Sequence, residues 1–246
     1  MSDYEQRKHV TEYSRIAYAL QMERFPVAVL YADQPPEEAV QFVPGRHGCV
    51  ISLLDAASKG RIAAFTEETT PCPGGKAGLG FKELPEGLKN FLSTGTASRE
   101  GEFYKESPEL AKEYMTGLPA MEKPACIVFK PLNKLQEADR PLAVIFLVNA
   151  DQLSGLITLA NFDQPTQDNV HVMFGAGCAQ AVRYAVCDEQ NEKSTCYIGL
   201  TDPSARKYVN KDLLSFTIPF HRFLQMENKV NQSFLSHDTW RKIINR

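Results

Sequence analysis

Two parts of the chain carry the same order of predicted elements, and this repeat constrains the fold more than any other feature. The segment Pro26-Val-Ala-Val-Leu matches Pro141-Leu-Ala-Val-Ile, and each is typical of a short buried strand. After each strand a Gly-Cys pair opens a predicted helix, at Cys49 and at Cys178. A further strand and a cysteine near glycine complete both halves, at Cys72 and Cys196. Four elements that recur in order indicate an internal duplication.

The alternation of buried strands with helices predicts an α/β fold, with α+β as the other form, in one compact domain. A chain of 246 residues, 43% of them hydrophobic, can bury a sizeable core. We predict a single domain over 1–246, made of two related strand–helix–strand halves around a pseudo-twofold axis. Its parts are an N-terminal helix over 1–22, a first half over about 23–135, a second half over about 136–225 and a C-terminal helix over about 226–246.

Composition and charge exclude several classes of function. The net charge of −3, with scattered basic residues, gives no reason to expect nucleic-acid binding. The longest apolar run, Leu142 to Val148, is far shorter than the ~20 residues of a membrane helix. The polar start of the chain has no secretory h-region, so we predict a cytoplasmic protein. In that compartment its six cysteines are expected as thiols or ligands, because disulfides are rare there.

Four of the cysteines form the candidate site. Cys49 and Cys178 each stand where a helix begins, and there the unpaired backbone N–H groups favour a thiolate. Cys72 lies in a Pro- and Gly-rich stretch, which predicts a loop, and Cys196 lies near the end of a strand.

Convergence of these four sulfurs would suit an iron–sulfur cluster, with zinc as the alternative, because both bind thiolates held by rigid backbone. His47 could supply a nitrogen ligand instead. The chain has no Cys-x-x-Cys pair, so ordinary packing of the cysteines stays open as well. We assign Cys126, at the start of an apolar strand, and Cys187, on the opposite face of its helix from Cys178, to packing.

A second candidate site consists of residues next to Cys49 and Cys72 in the sequence. The glycine-rich stretch and nearby cations could hold an anionic small molecule, although no Gly-Lys-Ser/Thr of a phosphate-binding loop is present. The residues predicted for this role are Arg46, His47, Gly74, Gly75 and Lys76.

These motifs together resemble the family of bacterial and archaeal proteins known as domain of unknown function 169. The resemblance runs from about Gln21 to Met226. It rests on the first strand, both Gly-Cys helices, Cys72-Pro-Gly-Gly, Gly78-Leu-Gly, Cys196 and Asp202-Pro-Ser-Ala-Arg. It implies that Cys49, Cys72, Cys178 and Cys196 are the recurring cysteines, and it implies no reaction.

Three functions therefore stay open. The first is an iron–sulfur or other metal-binding protein, the second a binding module for an anionic small molecule, and the third a thiol redox protein. The partner would be a small molecule or a redox protein, and a homo-oligomer is compatible with the sequence. Whether the chain is an enzyme is left undecided.

Overall fold

A seven-stranded sheet forms the centre of the computed structural model, which describes residues 13–245. The strands are ordered β2-β5-β1-β6-β9-β8-β7 across the sheet, and β3 and β4 form a separate two-stranded sheet. The strands are β1 (Val27–Ala32), β2 (Ala63–Thr66), β3 (Gly95–Thr96), β4 (Arg99–Glu100), β5 (Cys126–Pro131), β6 (Pro141–Val148), β7 (Val170–Val172), β8 (Cys196–Gly199) and β9 (Leu214–Pro219).

Neighbouring strands of the large sheet are antiparallel except for β7 and β8, which are parallel. The prediction of a mixed helix-and-strand fold in one compact domain is confirmed. The pairing is that of the α+β form, because five of the six neighbouring pairs in this sheet are antiparallel. The pseudo-twofold relation and the boundaries of the halves stay predictions.

Helices cover both faces of the sheet. They are α1 (Arg15–Ala19), α2 (Val50–Ser58), α3 (Pro73–Gly78), α4 (Leu88–Leu92), α5 (Pro108–Thr116), α6 (Ala150–Asn161), α7 (Tyr184–Asp188), α8 (Phe220–Lys229) and α9 (Asp238–Ile244). A π-helical turn, Ala179–Arg183, leads directly into α7. No helix within residues 13–245 combines the length and the apolar character that crossing a membrane requires.

Two cores lie on the two faces of the sheet, because successive side chains of a strand point to opposite sides. Ala28 and Val144 belong to the first core, together with α1, α6, α8 and α9. Val29 and Ile145 belong to the second core, together with α2, the π-helical turn and α7. The central strands are therefore apolar on both faces, which explains their continuous hydrophobic runs.

Local signals explain where several helices begin. The Ser107 side chain accepts a hydrogen bond from the Leu110 N–H, and Pro108 occupies the first position of α5. Asn149 and Gln152 form a reciprocal capping box at the start of α6. These caps satisfy backbone N–H groups that have no partner within the helix.

The predicted terminal helices differ from the observed ones. Of the N-terminal helix over 1–22, the structure describes α1, whereas residues 1–12 lie outside the described residues, as does Arg246. The helix predicted over 226–246 is wrong as one element. Helix α8 starts earlier, directly after Pro219, and ends at Lys229, and two 3₁₀ turns separate it from α9. Ser233 between those turns donates to the Val230 carbonyl and accepts from the Leu235 N–H, which breaks the helical ladder.

Candidate ligand-binding cavity

A cavity of about 610 Å³ lies beyond the second core, where α2, α3 and the π-helical turn begin. Helices α4 and α5 form its opposite side, and the loop after β8 closes one end. Its walls are mainly apolar and aromatic, with a few polar groups. This size and character are typical of pockets that bind small molecules.

Three of the four predicted cysteines line this cavity. Cys49 immediately precedes α2, Cys72 immediately precedes α3, and Cys178 immediately precedes the π-helical turn. Two come from the first half of the chain and one from the second. The structure therefore brings thiols from both halves to one wall.

Cys72 also explains a helix that the sequence analysis missed. Its Sγ accepts a hydrogen bond from the Gly75 N–H at 3.4 Å, and Pro73 occupies the first helical position. The predicted loop is therefore wrong: these residues form the short helix α3. A capping thiol and an N-terminal proline offset the weak helix propensity of the glycines.

Cys178 is buried, Cys49 and Cys72 are half-buried, and the thiols interact with one another. Burial raises the pKa of Cys178, and the neighbouring Cys49 and Cys72 raise it further. Burial also raises the pKa of Cys49, against the smaller opposing effect of the Ile51 backbone N–H. Desolvation thus exceeds the effect of the helix starts, and the expectation that these two positions favour thiolates is wrong.

Cys196 does not join the other three. It points into the first core, on the opposite face of the sheet, where its Sγ lies 3.9 Å from Met226 Sδ. Burial raises its pKa to about 12. The alternation of β8 explains the separation, because Tyr197 faces the second core and Cys196 does not. Its predicted place in a common four-cysteine site is therefore corrected.

The two cysteines assigned to packing also lie away from the cavity wall. Cys126 is fully buried in the first core. Cys187 lies on α7, and its Sγ donates to the Ala120 carbonyl at 3.3 Å.

The structure places three of the five residues predicted to hold an anion at the cavity. His47, Gly74 and Gly75 line the cavity. Arg46 and Lys76 are not among its lining residues. The anion site predicted from the sequence is therefore only partly assembled at this cavity.

Aromatic residues on the far side of the cavity were missed by the sequence analysis. Tyr114 on α5 meets Phe174 edge to face, with ring centroids 4.8 Å apart, and Lys105 Nζ lies 4.4 Å from the Phe174 ring centroid. Burial raises the pKa of Tyr114, so its hydroxyl is neutral. The recognisable Ser107-Pro108 start of α5 predicted this helix, but no local pattern predicted which cavity it covers.

Asp202 was also missed as a site residue. It is 8% exposed and lines the cavity in the loop after β8. Its Oδ2 accepts hydrogen bonds from the Gly177 N–H at 2.8 Å and from Ser204 Oγ at 2.9 Å, and its Oδ1 accepts one from the Ser204 N–H at 2.9 Å. Asp202 thereby fixes this loop against the residue that precedes Cys178.

The described residues, 13–245, contain no group of three or more His, Cys, Asp or Glu side chains positioned to hold a metal ion. The three thiols share a cavity wall without forming such a group.

Comparison with known protein families identifies the family of this chain. The model of the DUF169 family, described as uncharacterised ArCR, matches residues 15–229. Neither a curated protein nor a solved structure matches the chain.

Proposed function

This chain belongs to the DUF169 family, and we propose that it binds a small organic molecule in the cavity between α3, α5 and the π-helical turn. The observation that carries the proposal is the cavity itself, with a volume of about 610 Å³. Ligand pockets of drug-sized molecules typically measure about 300–1,000 Å³ and combine apolar walls with a few polar groups.

The wall chemistry indicates the class of ligand. The lining combines glycines of α3, at Gly75 and Gly78, with the aromatic rings of Phe91, Tyr104 and Tyr114. Aromatic rings stack on planar groups, so this lining suits a planar, largely apolar ligand. His47 and Arg99 are the basic side chains of the lining, and they favour a ligand with one anionic group.

Gly75 leaves little space for a side chain, whereas Gly78 lies at an ordinary contact distance from Cys178. A Cβ at Gly78 would lie 3.5 Å from Cys178 Sγ, and a Cβ at Gly75 would lie 3.3 Å from a methyl group of Val50. These glycines allow α3 to approach the start of the π-helical turn closely. A side chain at Gly75 would require Val50 to shift by a few tenths of an ångström.

A thermal-shift screen over planar organic acids tests this proposal. Ala176→Phe fills the cavity, and Ala138→Phe adds the same ring at an exposed position outside it. We expect a compound that raises the melting temperature of the wild type and of Ala138→Phe but not that of Ala176→Phe. A compound that stabilises all three proteins equally binds outside the cavity and contradicts the proposal.

A second candidate function is an iron–sulfur cluster, or another metal centre, on Cys49, Cys72 and Cys178. The specific observation in its favour is that three thiols from three helical starts line one wall, and that one of them already accepts a backbone N–H. Hydrogen bonds to sulfur and water-poor surroundings tune such clusters. Metal binding displaces thiol protons, so the raised pKa values of Cys49 and Cys178 are compatible with it.

Zinc stays the alternative metal, because it also binds thiolates. The third alternative, thiol redox chemistry, is disfavoured because burial raises the pKa of Cys49 and Cys178 and leaves little reactive thiolate. A cytoplasmic location stays part of the proposal, since a reducing compartment keeps thiols free.

Anaerobic purification with iron, zinc and sulfide analysis tests the second candidate. Replacing Cys49, Cys72 or Cys178 by serine should each lower the bound metal, whereas Cys196→Ser, in the opposite core, should leave it unchanged. Wild-type protein that contains neither metal nor sulfide, and takes up neither on reconstitution, would exclude this function.

A further inference from the structure

A buried carboxylate, that of Asp202, belongs to the lining of the cavity. Among the lining residues, all of which lie within 13–245, it is the only acidic one. Its oxygens bond to the Gly177 N–H and to both donors of Ser204, and these two residues line the cavity as well. The carboxylate therefore lies at the cavity wall.

The donors around Asp202 favour a charged carboxylate without neutralising it. All three are uncharged N–H or O–H groups, and they occupy three of the about four lone-pair sites of the carboxylate. None of the ion pairs found among residues 13–245 includes Asp202. A buried charge is costly unless an opposite charge pairs with it. A cation in the cavity would supply that charge and occupy the remaining lone pair.

The charge of Asp202 acts across the cavity. Burial is the main cause of the raised pKa of Tyr104 and Tyr114, and the Asp202 carboxylate contributes to the rise at both. Both tyrosines line the cavity with α5 or the segment before it, whereas Asp202 belongs to the loop after β8. The field of the carboxylate therefore reaches the aromatic side of the cavity.

The two basic residues of the lining differ from Asp202 in exposure. His47 and Arg99 are exposed to solvent, whereas Asp202 is buried. The guanidinium carbon of Arg99 lies 5.6 Å from the centroid of the Phe91 ring. Because water and salt screen exposed charges more than buried ones, the buried carboxylate acts more strongly on a ligand. The lining is thus positive where it meets solvent and negative in its buried part.

We propose that Asp202 binds a positively charged nitrogen of the ligand, and that the ligand is a zwitterion of the aromatic amino-acid class. The inference rests on the first proposed function and names the class of ligand for the same cavity. The ammonium group lies in the buried part, at Asp202, and the carboxylate of the ligand points towards Arg99 and the solvent. The ring lies beside Tyr104 and Tyr114.

A charged nitrogen suits this position better than a hydroxyl group does. An ammonium group has three N–H donors, so it can fill the free lone pair of Asp202 and balance its charge at the same time. A hydroxyl group fills the lone pair and leaves the charge unpaired. An acid without the nitrogen keeps only the contact with the exposed basic residues, and it therefore binds more weakly.

Calorimetric titration of the full chain with three probes that share one ring tests the inference. Tryptamine carries the amine alone, indole-3-acetate carries the carboxylate alone, and tryptophan carries both. We expect the wild type to bind tryptophan and tryptamine at least about tenfold more tightly than indole-3-acetate, because a buried hydrogen bond between charged groups contributes that much. Phenylalanine, phenethylamine and phenylacetate repeat the comparison with a smaller ring.

Variants assign this preference to Asp202. Asp202→Asn keeps the size of the side chain and removes its charge, so the preference for tryptamine over indole-3-acetate should disappear. Asp238→Asn removes an exposed charge of α9 outside the cavity and should keep the wild-type preference. Ala176→Phe should abolish the binding of every probe. Circular dichroism establishes that each variant is folded, and the wild-type preference decides by itself where Asp202→Asn is not.

The outcomes separate the inference from the function on which it rests. Indole-3-acetate that binds the wild type as tightly as tryptamine, and does not bind Ala176→Phe, overturns the inference and leaves the proposed function standing. A preference for the amine that persists in folded Asp202→Asn also overturns the inference. Probes that bind the wild type and Ala176→Phe equally lie outside the cavity and contradict both. Binding of no probe in either series overturns the inference, and the screen of organic acids then decides the proposed function.

Discussion

Asp202 Oδ2 accepts the backbone N–H of Gly177 at 2.8 Å, and this contact joins the loop after β8 to the segment that opens the π-helical turn. The two residues are separated by β8 and α7 along the chain, so the bond fixes tertiary structure at the cavity wall. The position of Cys178 depends on it, because Gly177 is the preceding residue.

Removing this carboxylate should destabilise the protein. Asp202→Ala leaves the Gly177 and Ser204 N–H groups without their acceptor, and we expect the free energy of unfolding to fall by about 2–3 kcal/mol. Urea unfolding measures the change. Asp238→Ala, an exposed aspartate in the first turn of α9, is the control and should cost less than about 1 kcal/mol. Equal losses in the two variants would refute a structural role for Asp202.

Arg183 should hold α3 in place. Its buried guanidinium donates to the carbonyls of Pro119, Ala77 and Gly78, the last two at the end of α3. Arg183→Ala should lower the free energy of unfolding by about 3 kcal/mol, because carbonyls that accept from a charged donor lose their partner. The exposed Arg61→Ala is the matched control, and chemical denaturation of both variants provides the comparison.

The stability of the protein should fall at alkaline pH. Burial raises the folded-state pKa of Cys49 and Cys178, so the unfolded thiols ionise first as the pH rises. The resulting stabilisation is complete below the unfolded thiol pKa of about 8.5 and is lost progressively above it. Melting temperatures between pH 7 and pH 9.5 should decline, and the decline should be shallower in Cys178→Ala. An identical slope in that variant would contradict the argument.

The rate of alkylation in the native protein should differ between Cys49 and Cys178. Cys178 is buried and Cys49 is half-buried, so iodoacetamide at pH 8 should label Cys49 faster than Cys178. Both should react more slowly than in urea-unfolded protein, where desolvation is absent. Peptide mass spectrometry over a time course gives both rates, and rapid labelling of Cys178 would argue against its burial.

Gly155 on α6 should tolerate no side chain. A Cβ there would lie 2.6 Å from Trp240 Cη2 and 2.9 Å from Leu20 Cδ2. Gly155→Ala should therefore destabilise the protein by about 1–3 kcal/mol, since overpacking forces neighbours to shift. Gly87→Ala is the control, because a Cβ at Gly87 meets no atom within 4 Å. Thermal unfolding should show the loss in the first variant and little change in the second.

The sequence predicted the part of the site that depends on local signals. Cys49 and Cys178 were recognisable from the repeated Gly-Cys helix starts, and the structure brings both to one cavity with Cys72. Cys196 is misassigned by its nearness to Gly199 in the sequence, because the alternation of β8 directs its side chain into the opposite core. Helix α3 was missed because a thiol cap is an uncommon signal. Tyr114 reaches the cavity through the packing of α5, which no local pattern encodes.

A crystal structure of the protein with the compound that most raises its melting temperature tests the central claim directly. We predict that the compound lies in the cavity, between the wall of Cys49, Cys72 and Cys178 and the rings of Tyr104 and Tyr114. The Ala176→Phe variant should show no compound there. Density for the compound at any other surface, with the cavity filled by water alone, would contradict the account.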